Sequence, residues 1–186
     1  MTKKIHTFYF FFLFIFVFTG CSNLVIKEQW HSSKKLMINS NQLQVGDIIL
    51  KKKNIIPSSW FGHSSIVVKN NLVGEYPKIN VGYCETGLLD WFYDDKKIII
   101  LRYKYFDETF KKEFLRNVNK YKGKIYKLSF NKYDINSFYC SKYIWLIYLE
   151  TAEKLKYKLD FKKYKNQLYI YPYDFLLSTD FEIIKL

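Results

Sequence analysis

The amino-acid sequence predicts an α+β domain, a small and mainly antiparallel sheet packed against two or three helices. Three observations carry that expectation. Between residues 47 and 103 the chain breaks into short Ile- and Val-rich runs separated by Asn, Gly, Pro and Ser, the pattern of strands and turns. Two stretches with helical spacing come after these runs instead of alternating with them, which segregates helix from sheet. The 186 residues, 49% hydrophobic, suffice for one domain with a real core and leave little room for two; they are also too apolar to remain disordered.

The elements follow in chain order. Lys3 and Lys4 precede an apolar run from Phe8 to Phe18, then Thr19-Gly20-Cys21. A basic start, an apolar run shorter than the ~20 residues of a membrane span and small residues before a cut site form the layout of a secretory signal. Phe18-Thr19-Gly20-Cys21 resembles a bacterial lipobox, with Phe where Leu is usual. That resemblance implies a lipoprotein signal over 1–20, lipidation of Cys21, and an exported chain anchored to a bacterial membrane in the cell envelope. Residues 21–41 are polar and lack a period, and read as a tether with a short strand or packed turn around Trp30. The domain proper is expected over 42–186.

Strands are expected at Asp47 to Leu50, Ser65 to Val68, Leu72 to Tyr76, and Lys97 to Tyr103 around Ile98-Ile99-Ile100-Leu101. Asp107 is placed to cap a helix in which Phe110, Phe114, Val118 and Tyr121 share one face, with Gly123 as its stop. A second helix starts near Tyr139 or Cys140. It carries Tyr143, Ile144, Ile147, Tyr148 and Thr151 along one stripe, with Lys142 and Glu150 off it. The remainder contains Pro172 and ends in a short strand at Phe181 to Ile184.

Thirty Lys and Arg against 17 Asp and Glu give a formal charge of +13. Such a balance suggests nucleic acid. Arginine, however, occurs only at 102 and 116, and it is Arg that reads bases and phosphates in bidentate fashion. With export as well, no nucleic-acid partner is expected, and the lysines are read as a surface facing an anionic envelope. The three cysteines do not make a disulfide framework. One domain histidine, with no Cys-x-x-Cys and no His-x-x-x-His, leaves no metal or cofactor site in view.

With Cys21 assigned to the anchor, two thiols remain. Cys84 lies in a strand or loop stretch and reads as a small buried residue. Cys140 sits at a helix start, where free N–H groups and the helix dipole favour thiolate. His63 is the one histidine outside signal and tether, at a loop-to-strand junction. Gly46-Asp47-Ile48-Ile49-Leu50, Gly62-His63-Ser64-Ser65-Ile66-Val67-Val68, Glu75, the Gly-x-x-Tyr of Gly123 to Tyr126, Phe138-Tyr139-Cys140-Ser141 and the Pro-x-Asp of Pro172 to Asp174 come in that order. Together they resemble the permuted papain-like cysteine hydrolases of the YaeF/YiiX type, within the NlpC superfamily, over about Val45 to Leu177.

The resemblance implies a permuted papain-like fold in which Cys140 is the nucleophile, His63 its general base and Glu75 the residue orienting the imidazole. Lys142 stands where the family often has an acid, and a cation there is expected to favour thiolate further. Gly46-Asp47 reads as a turn into a strand. The hairpin between His63 and Glu75 has two readings. An odd loop centred on Lys69, the expected one, sets the two residues directly opposite each other, whereas an even Asn70-Asn71 turn sends them to opposite faces. The implied function is a membrane-anchored thiol hydrolase or acyltransferase attacking an amide or ester carbonyl of an envelope peptide or acyl lipid. Two alternatives stay open: a non-catalytic lipoprotein that binds peptide or lipid on the same fold, and a structural Cys84–Cys140 disulfide.

Overall fold

The β-branched runs assemble into one seven-stranded sheet with a separate short parallel pair. In this computed structural model the described residues are 30–54, 60–93, 95–129, 131–161 and 167–185; the expected signal and Cys21 lie outside them. In chain order the strands are β1 (His31–Ser32), β2 (Ile48–Lys51), β3 (His63–Lys69), β4 (Leu72–Glu75), β5 (Cys84–Gly87), β6 (Lys97–Tyr103), β7 (Ile125–Tyr126), β8 (Ser137–Phe138) and β9 (Phe181–Ile183). The sheet runs β1-β6-β2-β3-β4-β5, with β9 also on β6, and every pairing in it is antiparallel; β7 and β8 form the parallel pair. The helices are α1 (Ser33–Ile38), α2 (Leu88–Phe92), α3 (Glu108–Tyr121) and α4 (Cys140–Leu155). This is the α+β, mainly antiparallel arrangement expected.

Side-chain alternation along the strands gives the sheet two apolar faces. On one, Ile49, Val67, Val73, Ile98 and Ile100 pack with Leu88, Trp91 and Phe92 of α2. On the other, α4 packs along β3 and α3 packs on α4. Aromatic rings fill that second layer: Tyr148 of α4 lies 5.0 Å from Phe114, 5.2 Å from Phe181 and 5.7 Å from Tyr103 between ring centroids. Fifteen of the 28 described aromatic residues are buried, where each ring removes a large area from water and adds edge-to-face contacts.

α3 begins as expected, with the Asp107 carboxylate accepting from Phe110 N at 2.8 Å. α4 departs from the expected single stripe, since every residue from Cys140 to Leu149 is buried. Sheet on one side, α3 on another and the loop before β8 cover it almost all round. A polar link, Asn117 Nδ2 to Thr151 Oγ1 at 3.0 Å, ties α3 to α4 inside the layer.

The short strand expected around Trp30 appears as β1, so residues 31–33 of the expected tether are tied to the sheet. His31 and Ser32 pair with Ile98 and Lys97, and buried Ser33 bonds Phe92 O at 3.2 Å and accepts from Lys96 N at 3.1 Å. Gly46-Asp47 does form the expected turn: Gly46 has φ +94°, the Phe106 ring occupies the space a Cβ would take, and Asp47 receives both Arg102 nitrogens at 2.7 and 2.8 Å.

Candidate active site

Three chain segments converge at one end of the sheet. The first is the start of α4. β7 runs parallel to β8 with Tyr126 opposite Phe138, Tyr139 stays extended, and the helix opens at Cys140 with no side-chain cap on its N-terminus. An uncapped helix start leaves its first N–H groups and positive dipole end for another acceptor, and Cys140 Sγ is the group placed there. The thiol is 7% exposed.

The second segment is the start of β3. Gly62 adopts φ +73°, and a Cβ on it would lie 2.8 Å from the Tyr173 ring and 2.9 Å from Lys51 O. Only glycine fits this left-handed, crowded position. The turn delivers His63 as the first residue of β3, paired with Lys51.

The third segment is β4, and here the hairpin departs from the expected register. Asn70-Asn71 does form the tight two-residue turn, with Asn71 at φ 62° and Lys69 opposite Leu72. Val67 nevertheless pairs with Val73 and Ile66 with Gly74, so Val68 is an extra residue bulged out of β3. A bulge adds one residue to one strand, and that one step cancels the parity change of the even turn. Continuing the register sets Glu75 opposite Ser65, so His63 is its diagonal neighbour on the same side and not its direct partner. Diagonal Cβ atoms are about 7–8 Å apart, a gap that a Glu and a His span together: His63 Nε2 lies 2.6 Å from Glu75 Oε2.

Trp91 Nε1 donates to the same Glu75 oxygen at 3.0 Å, and Lys51 Nζ sits 3.8 Å over the Trp91 ring. With Nε2 committed to Glu75, the hydrogen bond between His63 and Cys140 uses Nδ1. Burial alone would lower the His63 pKa, but the thiolate charge and hydrogen bond of Cys140, with Glu75 behind, raise it to about 9. Burial would raise the Cys140 pKa; His63 and then both the backbone and hydroxyl of Ser64 bring it below the ordinary thiol value. Glu75 is likewise held below its ordinary value, its burial outweighed by His63, Trp91 and Lys51. Both shifts favour the thiolate–imidazolium form of the pair.

Ser64 and Trp91 were not singled out in the sequence. Ser64 is fully buried, and its Oγ makes no hydrogen bond among the described residues; it lies near enough to Cys140 to help lower the thiol pKa. Adjacency to His63 was the available signal, since neighbours on a strand flank whatever reaches its end from either face. The Gly-x-x-Tyr segment ends at half-buried Tyr126, whose phenol pKa is raised by burial and then by the charge of Cys140.

Two expectations fail here. Lys142 does not face the sulfur. It is fully buried, donates to Ser137 O at 2.9 Å and Asn131 O at 3.3 Å, and desolvation lowers its pKa; as the second residue after Cys140 it points to another side of the helix. Cys84 is not a fully buried filler and does not bridge to Cys140. It is half-buried on β5 opposite Glu75, with α2 starting four residues later, and both cysteines are free thiols.

A sheet against a central helix, with a cysteine at that helix's start and a histidine preceding it in the chain on a facing strand, defines the class of papain-like folds in permuted order. The chain belongs to the family of permuted papain-like amidase enzymes, YaeF/YiiX, C92 family, whose model matches residues 42–180. Membership makes it an amidase- or peptidase-like enzyme of the cysteine-hydrolase kind. Among solved structures it is similar to the metalloprotein yiiX from Escherichia coli O157:H7, at 18% identity and a TM-score of 0.56, over 77% of this chain and 97% of that one. No curated protein matches.

Proposed function

We propose that the protein is a thiol hydrolase in which Cys140 attacks an amide or ester carbonyl, His63 moves the protons and Glu75 orients the imidazole. The observation that carries this reading is the 2.6 Å bond from His63 Nε2 to Glu75, which turns Nδ1 toward the sulfur at the uncapped start of α4. The thiolate adds to the carbonyl carbon, and the oxyanion takes a hydrogen bond from Cys140 N–H. Imidazolium then protonates the leaving nitrogen or oxygen as the carbon–heteroatom bond breaks. Water, deprotonated by His63, releases the acyl group and restores the thiolate.

The yiiX title names a metalloprotein. Among the described residues of this chain no group of three or more His, Cys, Asp or Glu is placed to hold a metal ion, and the His63 and Glu75 donor atoms already engage each other; no step is derived through a metal. The address is part of the proposal: the lipobox-like Phe18-Thr19-Gly20-Cys21 supports export and anchoring through lipidated Cys21, with a cell-envelope peptide or acyl lipid as substrate.

Activity-based acyl probes test the chemistry. Labelling of wild type at Cys140, and none in Cys140→Ala with Cys84 intact, is the expected result. Equal turnover by Cys140→Ala would end the proposal, and a wild type that neither labels nor turns over would favour a binding protein on the same fold.

A further inference from the structure

Two short segments flank the reactive pair, one ahead of His63 and one clamped around Cys140. Ile170 N donates to the Tyr139 hydroxyl at 3.0 Å, and Ser141 Oγ donates to Ile170 O at 2.6 Å. The residues on either side of Cys140 therefore hold Ile170 between them. From this clamp a run of rings leads outward: Tyr139 to Tyr169 at 6.2 Å, Tyr169 to Tyr171 at 6.4 Å, and Tyr171 to Phe61 at 5.7 Å between centroids. Phe61 is two residues before His63, so the run begins at one member of the pair and ends at the other.

Its outer part is uncovered. Trp60, Phe61, Leu168 and Tyr171 are 56%, 63%, 63% and 44% exposed. Single apolar residues on a surface mean little, but a contiguous set beside a reactive group marks a binding surface.

We propose that this is an acyl-chain platform, so that the group passed to Cys140 is a hydrocarbon acyl group. The proposal rests on the hydrolase reading above and names its substrate class. Peptide substrates in extended form are held mainly through main-chain hydrogen bonds. Here the main chain of Ile170 and Tyr171, next to the nucleophile, is already engaged. Ile170 uses both its N–H and its C=O as described, Tyr171 N donates to Asp174 Oδ2 at 2.8 Å, and Tyr171 O accepts from Asp174 N at 3.0 Å. What the segment offers is ring and methyl surface. In the acylation step the carbonyl carbon gains a bond to sulfur and loses its bond to the leaving nitrogen or oxygen, which departs as amine or alcohol with the proton of His63. In deacylation water adds, the carbon–sulfur bond breaks, and the free acid departs.

The test is a chain-length series of p-nitrophenyl esters, acetate to decanoate, given to the full chain below the concentration at which the esters aggregate. Each fully buried methylene is worth up to about fourfold in kcat/KM, and a one-sided platform should yield at least about tenfold between acetate and decanoate. Phe61→Ser with Leu168→Ser should flatten that rise, the ratio of decanoate to acetate kcat/KM falling toward one. A flat wild-type series, an unaltered slope in the double variant, or faster turnover of an acetyl-peptide anilide than of the decanoate overturns the platform and leaves the hydrolase standing. If none of the esters adds its acyl mass to Cys140, the hydrolase reading falls and the platform with it.

Discussion

Glu75→Gln removes a charge and keeps an oxygen able to accept from His63. In the wild type the two side chains are 20% and 10% exposed, 2.6 Å apart, and His63 titrates at about 9. A hydrogen bond to an ionised partner contributes about 1.5–3 kcal/mol, and each pKa unit corresponds to about 1.4 kcal/mol. The variant should therefore lose imidazolium about one to two units lower, near pH 7 to 8. Iodoacetamide alkylation of Cys140 against pH, read by mass, reports that limb directly, and ester hydrolysis reports it in turnover. The stability readout has a definite sign. A histidine raised above its unfolded value of 6.5 stabilises fully below that pH, and the contribution disappears as pH rises through about 9. The variant should thus lose most Tm near pH 6 and least above pH 9. A basic limb that stays near 9 in Glu75→Gln would mean that the thiolate alone holds the imidazolium, and the orienting role of Glu75 would be refuted.

Three further outcomes follow from the same geometry. Ser64→Ala removes the buried hydroxyl near the sulfur, so the acid limb of Cys140 alkylation should move up by about half to one unit; an unmoved limb with normal Tm would show that the hydroxyl does not act on the thiol. Lys142→Ala should lower stability by about 2–4 kcal/mol through a cavity and two orphaned carbonyls, measured by urea unfolding. The Cys140 alkylation profile should be unchanged, whereas an upward shift would restore Lys142 as a thiolate partner. Gly62→Ala forces a side chain into a left-handed, crowded turn at a cost of about 1–3 kcal/mol and displaces His63, so kcat should fall at least about tenfold with little change in the alkylation of Cys84; full activity would show that the turn does not position the histidine.

The legible parts of the sequence were those whose pattern is set locally. β6 was read to the residue because Ile98 to Leu101 are apolar on both faces and lie in the middle of the sheet. α3 announced itself through Asp107 and its apolar face, and the order of motifs led to Cys140, His63 and Glu75, which the fold does bring together. The signals that failed depend on what lies across from a residue. α2 is one turn long, below what a helical period can register. β1 is two residues long and α1 starts Ser-Lys-Lys, so this stretch resembled tether. Lys142 looked like a solvent-facing residue because periodicity does not reveal that a loop closes over that side of α4. The hairpin combined a correct expectation of shared side with a wrong path to it, since neither Asn70-Asn71 nor Val68 alone discloses that the turn and the bulge compensate.

That compensation makes the hairpin tip behave as a phase setter. Loop tips ordinarily absorb insertions and deletions of any length, because nothing downstream counts the residues. Here Glu75 does. Adding or losing two residues at Asn70-Asn71 keeps the alternation in step, but a change of one turns the carboxylate of β4 to the far side of the sheet, away from His63, unless a bulge is gained or lost with it. Among descendants of this sequence, length variation at that surface turn should come in even steps, or in odd steps paired with a second irregularity in β3.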